Sequence, residues 1–274
     1  MKVLATDLDG TLFYPKDKKN IICLENLKFI RDFIDEGNKV ILISGRSFDF
    51  LKIVEQKINR PCSLICFNGA LIYDEKIISS TTIPNEVSKN IIKLFTDYFD
   101  LPGTFIMTSK GVYIKLNTTK IFKNLAKLYY KAQKIYKENY CFDNLEFDKE
   151  LNNGDIYKIM LFFGISRKRK EKASEANKVL RNLLKNYESS WSDEVIEITA
   201  KDCNKAKAIL KLIDTENIKK DDVIVVGDSG NDISMFKEFY ENSFCMGRAN
   251  PIVKKYAKTT IDKFSDLSLY LLKK

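Results

Sequence analysis

Val3-Leu4-Ala5-Thr6-Asp7-Leu8-Asp9-Gly10-Thr11 opens the 274-residue chain as a short apolar run that stops at two aspartates. The same pattern returns near the other end, in Val223-Ile224-Val225-Val226-Gly227-Asp228-Ser229-Gly230-Asn231-Asp232. Apolar runs without alternation read as strands buried on both faces of a parallel sheet. Acidic residues just past the carboxyl ends of such strands stand on the rim where open α/β sheets bind ligands. Carboxylates gathered in one crevice raise one another's pKa by repulsion. A cation that prefers hard oxygen ligands, Mg²⁺, removes that penalty. The expectation is a Mg²⁺ site assembled from both ends of the chain. Asp-Gly is also a hairpin turn, but Leu12-Phe13-Tyr14 does not alternate as a returning strand would.

Outward from the first strand, Leu24, Leu27, Ile30 and Ile34 repeat at helical spacing and stop at Gly37. Val40 to Ile43 reads as a second strand, Phe48 to Ile58 as a helix and Leu64 to Phe67 as a third strand. This β-α-β-α-β order predicts a parallel sheet with crossover helices. Asn68-Gly69 leads into a short hairpin, Ala70–Tyr73 with Ile77–Ser79. Past Pro84 the pattern changes. Lysine-rich helices (Glu86–Phe99, Ile121–Lys137, Glu171–Asn186) mix with strands at Thr104–Met107, Val112–Leu116, Ile156–Phe163 and Val195–Ile198. The α/β pattern resumes with helices at Asn204–Ile213, Ile233–Tyr240 and Phe264–Leu272, and strands at Val223–Val226, Asn242–Cys245 and Thr259–Ile261. The fold expected is α/β: a Rossmann-like parallel-sheet core, residues 1–82 and 191–274, with an inserted α+β domain at 83–190.

Hydrophobic content of 45% and charged content of 30% allow a sizeable core. No apolar run approaches the ~20 residues that span a membrane, and Met1-Lys2 followed by a strand does not resemble a signal peptide. A cytoplasmic protein is expected. Cys62 and Cys66 lack the further ligands of a structural zinc site, and a buried reduced thiol is the ordinary reading of most of the six cysteines. The complete lack of histidine excludes a Ser-His-Asp triad, a His-Glu-x-x-His metal site and phosphohistidine chemistry within this chain. Acid–base or nucleophilic chemistry must come from carboxylates, lysines, hydroxyls or thiols. The net charge of +9 fits a lysine-rich solvated surface and also favours phosphorylated ligands. The most basic stretch, Arg167 to Lys172, reads as the solvated first turn of an amphipathic helix, so nucleic-acid binding is not expected.

Three further segments carry chemistry-bearing residues. Ser44-Gly45-Arg46 follows the second strand, with Ser44 either capping the next helix or offering its hydroxyl and backbone N–H groups to an anion. Asp202-Cys203-Asn204-Lys205-Ala206-Lys207 opens a helix. Gly227 to Asp232 joins a buried strand to another helix. Taken with Asp7 to Thr11, these segments resemble the four motifs of the haloacid dehalogenase superfamily of phosphohydrolases. The insertion and Asn68-Gly69-Ala70 resemble its Cof-type, subfamily IIB members. Serine stands at 44 where threonine is usual, and Ala206 stands where glycine usually follows the lysine, which leaves Lys207 as a rival to Lys205.

The resemblance implies a Mg²⁺-dependent phosphatase of small phosphorylated metabolites, sugar or cofactor phosphates, that works through an aspartyl-phosphate. Asp7 would be the nucleophile and Asp9 the general acid and base. Asp7, the Asp9 carbonyl and Asp228 would hold Mg²⁺. Ser44, Gly45 and Lys205 would bind the phosphoryl group, with Thr11, Asn68, Asn231 and Asp232 in support or touching substrate. A phosphomutase and a non-catalytic phosphometabolite-binding protein are the alternatives. The cap residues Asp155, Tyr157 and Lys158 are further candidates for substrate contact, with structural roles expected of them first.

Overall fold

The computed structural model describes residues 1–17, 20–132, 138–192 and 194–271. The chain forms two compact units, Met1–Ser80 with Asn204–Lys274, and Thr81–Cys203.

In the first unit the leading segment gives β1 (Val3–Thr6), α1 (Leu24–Asp35), β2 (Lys39–Ile43), α2 (Phe48–Ile58), β3 (Ser63–Cys66), β4 (Leu71–Asp74) and β5 (Lys76–Ser80). In the second unit follow α3 (Asn85–Phe99), β6 (Gly103–Thr108), β7 (Gly111–Leu116), α4 (Lys120–Ala132), β8 (Tyr140–Cys141), α5 (Asn144–Asn153), β9 (Lys158–Phe162), α6 (Arg167–Leu183), β10 (Tyr187–Ser192) and β11 (Val195–Ala200). The chain then returns to the first unit with α7 (Lys205–Thr215), β12 (Val223–Gly227), α8 (Ile233–Glu238), β13 (Ser243–Met246), α9 (Pro251–Lys254), β14 (Thr259–Ile261) and α10 (Ser268–Leu271).

The first unit holds an eight-stranded sheet in the order β14-β13-β12-β1-β2-β3-β4-β5. It is parallel from β14 to β3, and the β3–β4 and β4–β5 pairs are antiparallel. Every residue of β1 and β12 is buried, as their unbroken apolar runs require. Val3, Ala5, Ile41, Ile43, Val223 and Val225 share one core cluster with Ile209, Leu212, Met235 and Phe236 of α7 and α8. Alternation sends Leu4, Leu42 and Ile224 to the other face of the sheet. From β1 the chain progresses one way through β2 and β3, and from β12 the other way through β13 and β14. The order therefore reverses between β1 and β12, and a crevice opens at the carboxyl ends of strands where such a reversal occurs.

The second unit holds a six-stranded sheet, β10-β11-β9-β6-β7-β8, antiparallel except at β7–β8. The division at 203/204 differs from the expected return at 191. β10 and β11 pair with each other and β11 pairs with β9, so residues 187–200 complete the sheet of the insert. The helix expected to begin at Glu171 starts at Arg167, because the Ser166 hydroxyl accepts the Arg169 N–H and caps it. Residues 133–137 of the helix expected at Ile121–Lys137, and Leu272, lie outside the described residues. Asp155 accepts the Ser109 N–H at 3.0 Å, buried Lys158 pairs with Glu197 at 2.8 Å, and Tyr157 is buried: all three have structural partners or packing. Among the described residues no helix is long and apolar enough to cross a membrane.

Candidate active site

Because β1 and β12 are hydrogen-bonded neighbours, the loops that leave them meet. The register continues one residue past β1, where the Asp7 N–H donates to the Val226 carbonyl at 2.9 Å. Asp7 is thereby fixed at the sheet rim beside Asp228. After Asp7 the chain turns sharply. Gly10 has φ +89°, and a Cβ there would lie 2.2 Å from Asp228 Oδ2. The Asp-Gly pair is a turn, but one that brings bare backbone against a carboxylate.

Asp7, Asp228 and Asp232 each offer a carboxylate oxygen within 4.8 Å of the others, the one such group among the described residues. Lys205, the first residue of α7, reaches in between. Its Nζ lies 2.7 Å from Asp7 Oδ1 and 2.6 Å from Asp232 Oδ1, and its side chain has no exposure to solvent. Lys207 is exposed. The geometry thus separates two lysines that the sequence leaves as rivals. Asp232 also accepts the N–H groups of Asp228 and Ser229 through Oδ2, both at 2.9 Å. Gly227 has to be glycine here, since a Cβ would meet Asp232 Cγ at 2.4 Å.

Burial pushes the Asp7 carboxyl well above its ordinary range; Lys205 opposes this, and Asp232 and Asp228 add to it. Burial also lifts Asp228, with Asp232 helping and Arg248 and Lys205 opposing, to about 7. For Lys205, burial alone would lower the pKa, but Asp232 and Asp7 outweigh it and hold the ammonium charged. Three clustered carboxylates, Asp7 and Asp232 buried and Asp228 partly so, thus surround one lysine that bonds two of them, and Asp7 and Asp228 are driven towards protonation. An all-oxygen, excess-negative donor set of this kind fits a hard divalent cation such as Mg²⁺. Its affinity should weaken as pH falls below about 7, because a raised carboxyl must lose its proton before it can ligate. Titration calorimetry with Mg²⁺ on either side of neutrality checks this, and a pH-independent affinity would contradict it.

Asp9 stands apart from the carboxylate cluster. Its oxygens accept two bonds from one guanidinium, Arg46 Nε to Oδ2 at 2.9 Å and Arg46 NH2 to Oδ1 at 3.2 Å. Ser44 is buried at the carboxyl end of β2, with its N–H donating to the Ile65 carbonyl and its hydroxyl accepting the Arg46 N–H at 3.3 Å. Ser44 is not a helix cap: Ser47 caps α2 by accepting the Phe50 N–H. Gly45 lies between Ser44 and Arg46, partly exposed. Thr11 Oγ1 points at Asp228 Oδ1 over 3.5 Å. Asn68, at the end of β3, donates its N–H to the Ser44 carbonyl and accepts from Asn231 Nδ2 at 3.2 Å. Asn231 thereby ties the fourth segment to the β3 loop.

The ten residues expected to hold metal, phosphoryl group or substrate on the core loops lie in the first unit, and Asp155, Tyr157 and Lys158 lie in the second. Sequence reasoning missed two arginines. Arg46 holds Asp9, and Arg248, on the loop after β13, lies 3.9 Å from Asp228 Oδ2. For Arg46 the signal was adjacency to Ser44-Gly45. For Arg248 it was only its place on another loop at the carboxyl end of a central strand.

The sequence model of the haloacid dehalogenase-like hydrolases matches residues 4–270. A 5-amino-6-(5-phospho-D-ribitylamino)uracil phosphatase of Bacillus subtilis is 28% identical over 264 residues, 86% of this chain and 85% of its own. A pyridoxal phosphate phosphatase of Escherichia coli is 24% identical over 278 residues, 95% of this chain and 93% of its own. Among solved structures, a subclass IIB sugar phosphatase superposes with a TM-score of 0.76 over 98% of both chains at 21% identity.

Proposed function

Since this chain belongs to the haloacid dehalogenase-like hydrolases, we propose that it is a Mg²⁺-dependent phosphatase of small phosphorylated metabolites that works through an aspartyl-phosphate on Asp7. The observation that carries this reading is the buried Lys205, held between Asp7 and Asp232 in the loop cluster that also contains Asp228. Relatives named for dephosphorylating a ribityl-aminouracil and pyridoxal phosphate support sugar-like or cofactor-like phosphate esters as the substrate class.

Asp7, Asp228 and the Asp9 carbonyl would hold Mg²⁺. The ion supplies Lewis-acid charge neutralisation for a phosphate approaching a carboxylate. Lys205 keeps one oxygen of Asp7 engaged, so that the nucleophile has a fixed orientation, and it neutralises incoming negative charge. Asp232 holds Lys205 in place and fixes the Asp228 loop through its N–H bonds. Asp7 attacks phosphorus as the ester oxygen leaves, and Asp9 gives that oxygen a proton. Asp9 then takes a proton from the water that hydrolyses the acyl phosphate. With no histidine in the chain, acid–base help from a carboxylate such as Asp9 is all the more needed. The Ser44 hydroxyl and Gly45 backbone bind the transferring phosphoryl group. Thr11, Asn68 and Asn231 keep the three loops in register.

Asp9→Asn should slow turnover by about 10²–10⁴, and phosphoenzyme should accumulate because hydrolysis loses its base. Rapid-quench single-turnover kinetics check this; rates equal to the parent's would contradict it. Release of inorganic phosphate from p-nitrophenyl phosphate, with and without Mg²⁺, tests the reading as a whole. Phosphate retained in an isomerised product would point to a mutase, and binding without release to a sensor. A screen of phosphorylated metabolites then identifies the substrate.

A further inference from the structure

Arg248 differs from the other well-placed arginines. Arg31, Arg46, Arg60 and Arg169 each direct their guanidinium at carbonyl or carboxylate oxygens within 2.6–2.9 Å. Among the described residues Arg248 has no hydrogen-bond acceptor. Its contacts are the Asp228 carboxylate, NH1 to Oδ2 at 3.9 Å, and the face of Tyr14, 5.1 Å from guanidinium carbon to ring centroid. A separation of 3.9 Å is an ion pair without a hydrogen bond. The planar fork of donors therefore stands half-exposed beside the carboxylate cluster.

Its position is built rather than incidental. The turn that carries it is pinned on both sides, by the Gly247 N–H to the Ile261 carbonyl at 2.7 Å and the Ala249 N–H to the Met246 carbonyl at 2.9 Å. The Tyr14 ring, 5.1 Å from the guanidinium carbon, offers its face to the cation. The missing side chain at Gly10 lets it lie over the nucleophile loop: a Cβ there would meet Arg248 NH1 at 2.8 Å.

Donors without acceptors, beside residues proposed to bind a phosphate ester, suit an anionic oxygen of the ligand. We infer that Arg248 is a substrate-recognition residue whose guanidinium binds an anionic oxygen, either of the transferring phosphoryl group or of a second anionic group on the same substrate. This rests on the phosphatase reading above. It adds to that reading a contact outside the four loops that resemble the family's motifs.

The test compares Arg248→Gln and Arg248→Lys with the parent at saturating Mg²⁺. Titration calorimetry with inorganic phosphate reads the first source, and kcat/KM for p-nitrophenyl phosphate against a sugar bisphosphate reads the second. If Arg248 contacts the phosphoryl group, the glutamine variant should bind inorganic phosphate about 10- to 100-fold more weakly, with the lysine variant between. If it contacts a second anionic group, phosphate binding should stay unchanged and the preference for the bisphosphate should fall by a similar factor. Unchanged phosphate affinity together with an unchanged preference overturns the inference, and a shift confined to Mg²⁺ affinity would reduce Arg248 to a counter-ion of Asp228. If the parent hydrolysed neither ester, the phosphatase reading would fail, and calorimetry alone would still decide whether Arg248 binds an anion.

Discussion

Asp7→Asn is expected to lower kcat by on the order of 10⁴–10⁶, the scale of losing a covalent nucleophile, without lowering the melting temperature. The second half follows from the electrostatics. Burial pushes the Asp7 carboxyl up, and Asp232 and Asp228 push it further, so its charge costs the folded state stability. Asparagine keeps the shape and drops the charge, and Lys205 keeps its bond to Asp232. Loss of activity with unchanged or raised stability marks a residue kept for chemistry. Phosphatase assays paired with thermal melts decide it. Near-parental turnover in Asp7→Asn would remove Asp7 from the mechanism.

Lys205→Met should abolish turnover and also unfold the protein more readily, by about 3–5 kcal/mol, the usual cost of leaving a buried charge without its partner. Its ammonium is the shared partner of Asp7 and Asp232, and methionine of similar length fills the space without the charge. The pH dependence follows in sign. In the variant Asp7 and Asp228, already raised, lose the lysine that opposed the rise, so their folded-state pKa values climb further and folding takes up protons. The defect should therefore be full near neutral pH and shrink as acid protonates the cluster. Melting curves across that range measure it. A variant as stable as the parent at neutral pH would show that Lys205 does not neutralise the cluster, while Lys207→Met, on an exposed side chain, should leave stability nearly unchanged.

Much of the core was legible because its strands are buried on both faces. Val3 to Thr6 and Val223 to Val226 have no polar side to disguise them, and their position just before paired aspartates placed the site. The four loops are local too, so their residues could be picked before their meeting was seen. The end of the insert was harder to place. β10, Tyr-Glu-Ser-Ser-Trp-Ser, is a polar edge strand whose membership depends on pairing with β11, and pairing is not written in one strand's composition. Ser44 was read as a possible cap because a hydroxyl near a helix start has that habit, whereas Ser47 sits at the boundary itself. Arg46 and Arg248 were missed for a similar reason. An arginine on a loop is ordinarily solvated, and only the fold shows one gripping Asp9 and the other lying over Gly10.

The central claim is that Asp7 carries a phosphoryl group during turnover. It is tested most directly by acid-quenching Asp9→Asn during reaction with a phosphate ester and mapping its peptides by mass spectrometry. One phosphoryl group on the peptide containing Asp7, lost in the Asp7→Asn, Asp9→Asn double variant, is the expected result. An unmodified Asp7 peptide from enzyme that is still releasing phosphate would contradict it.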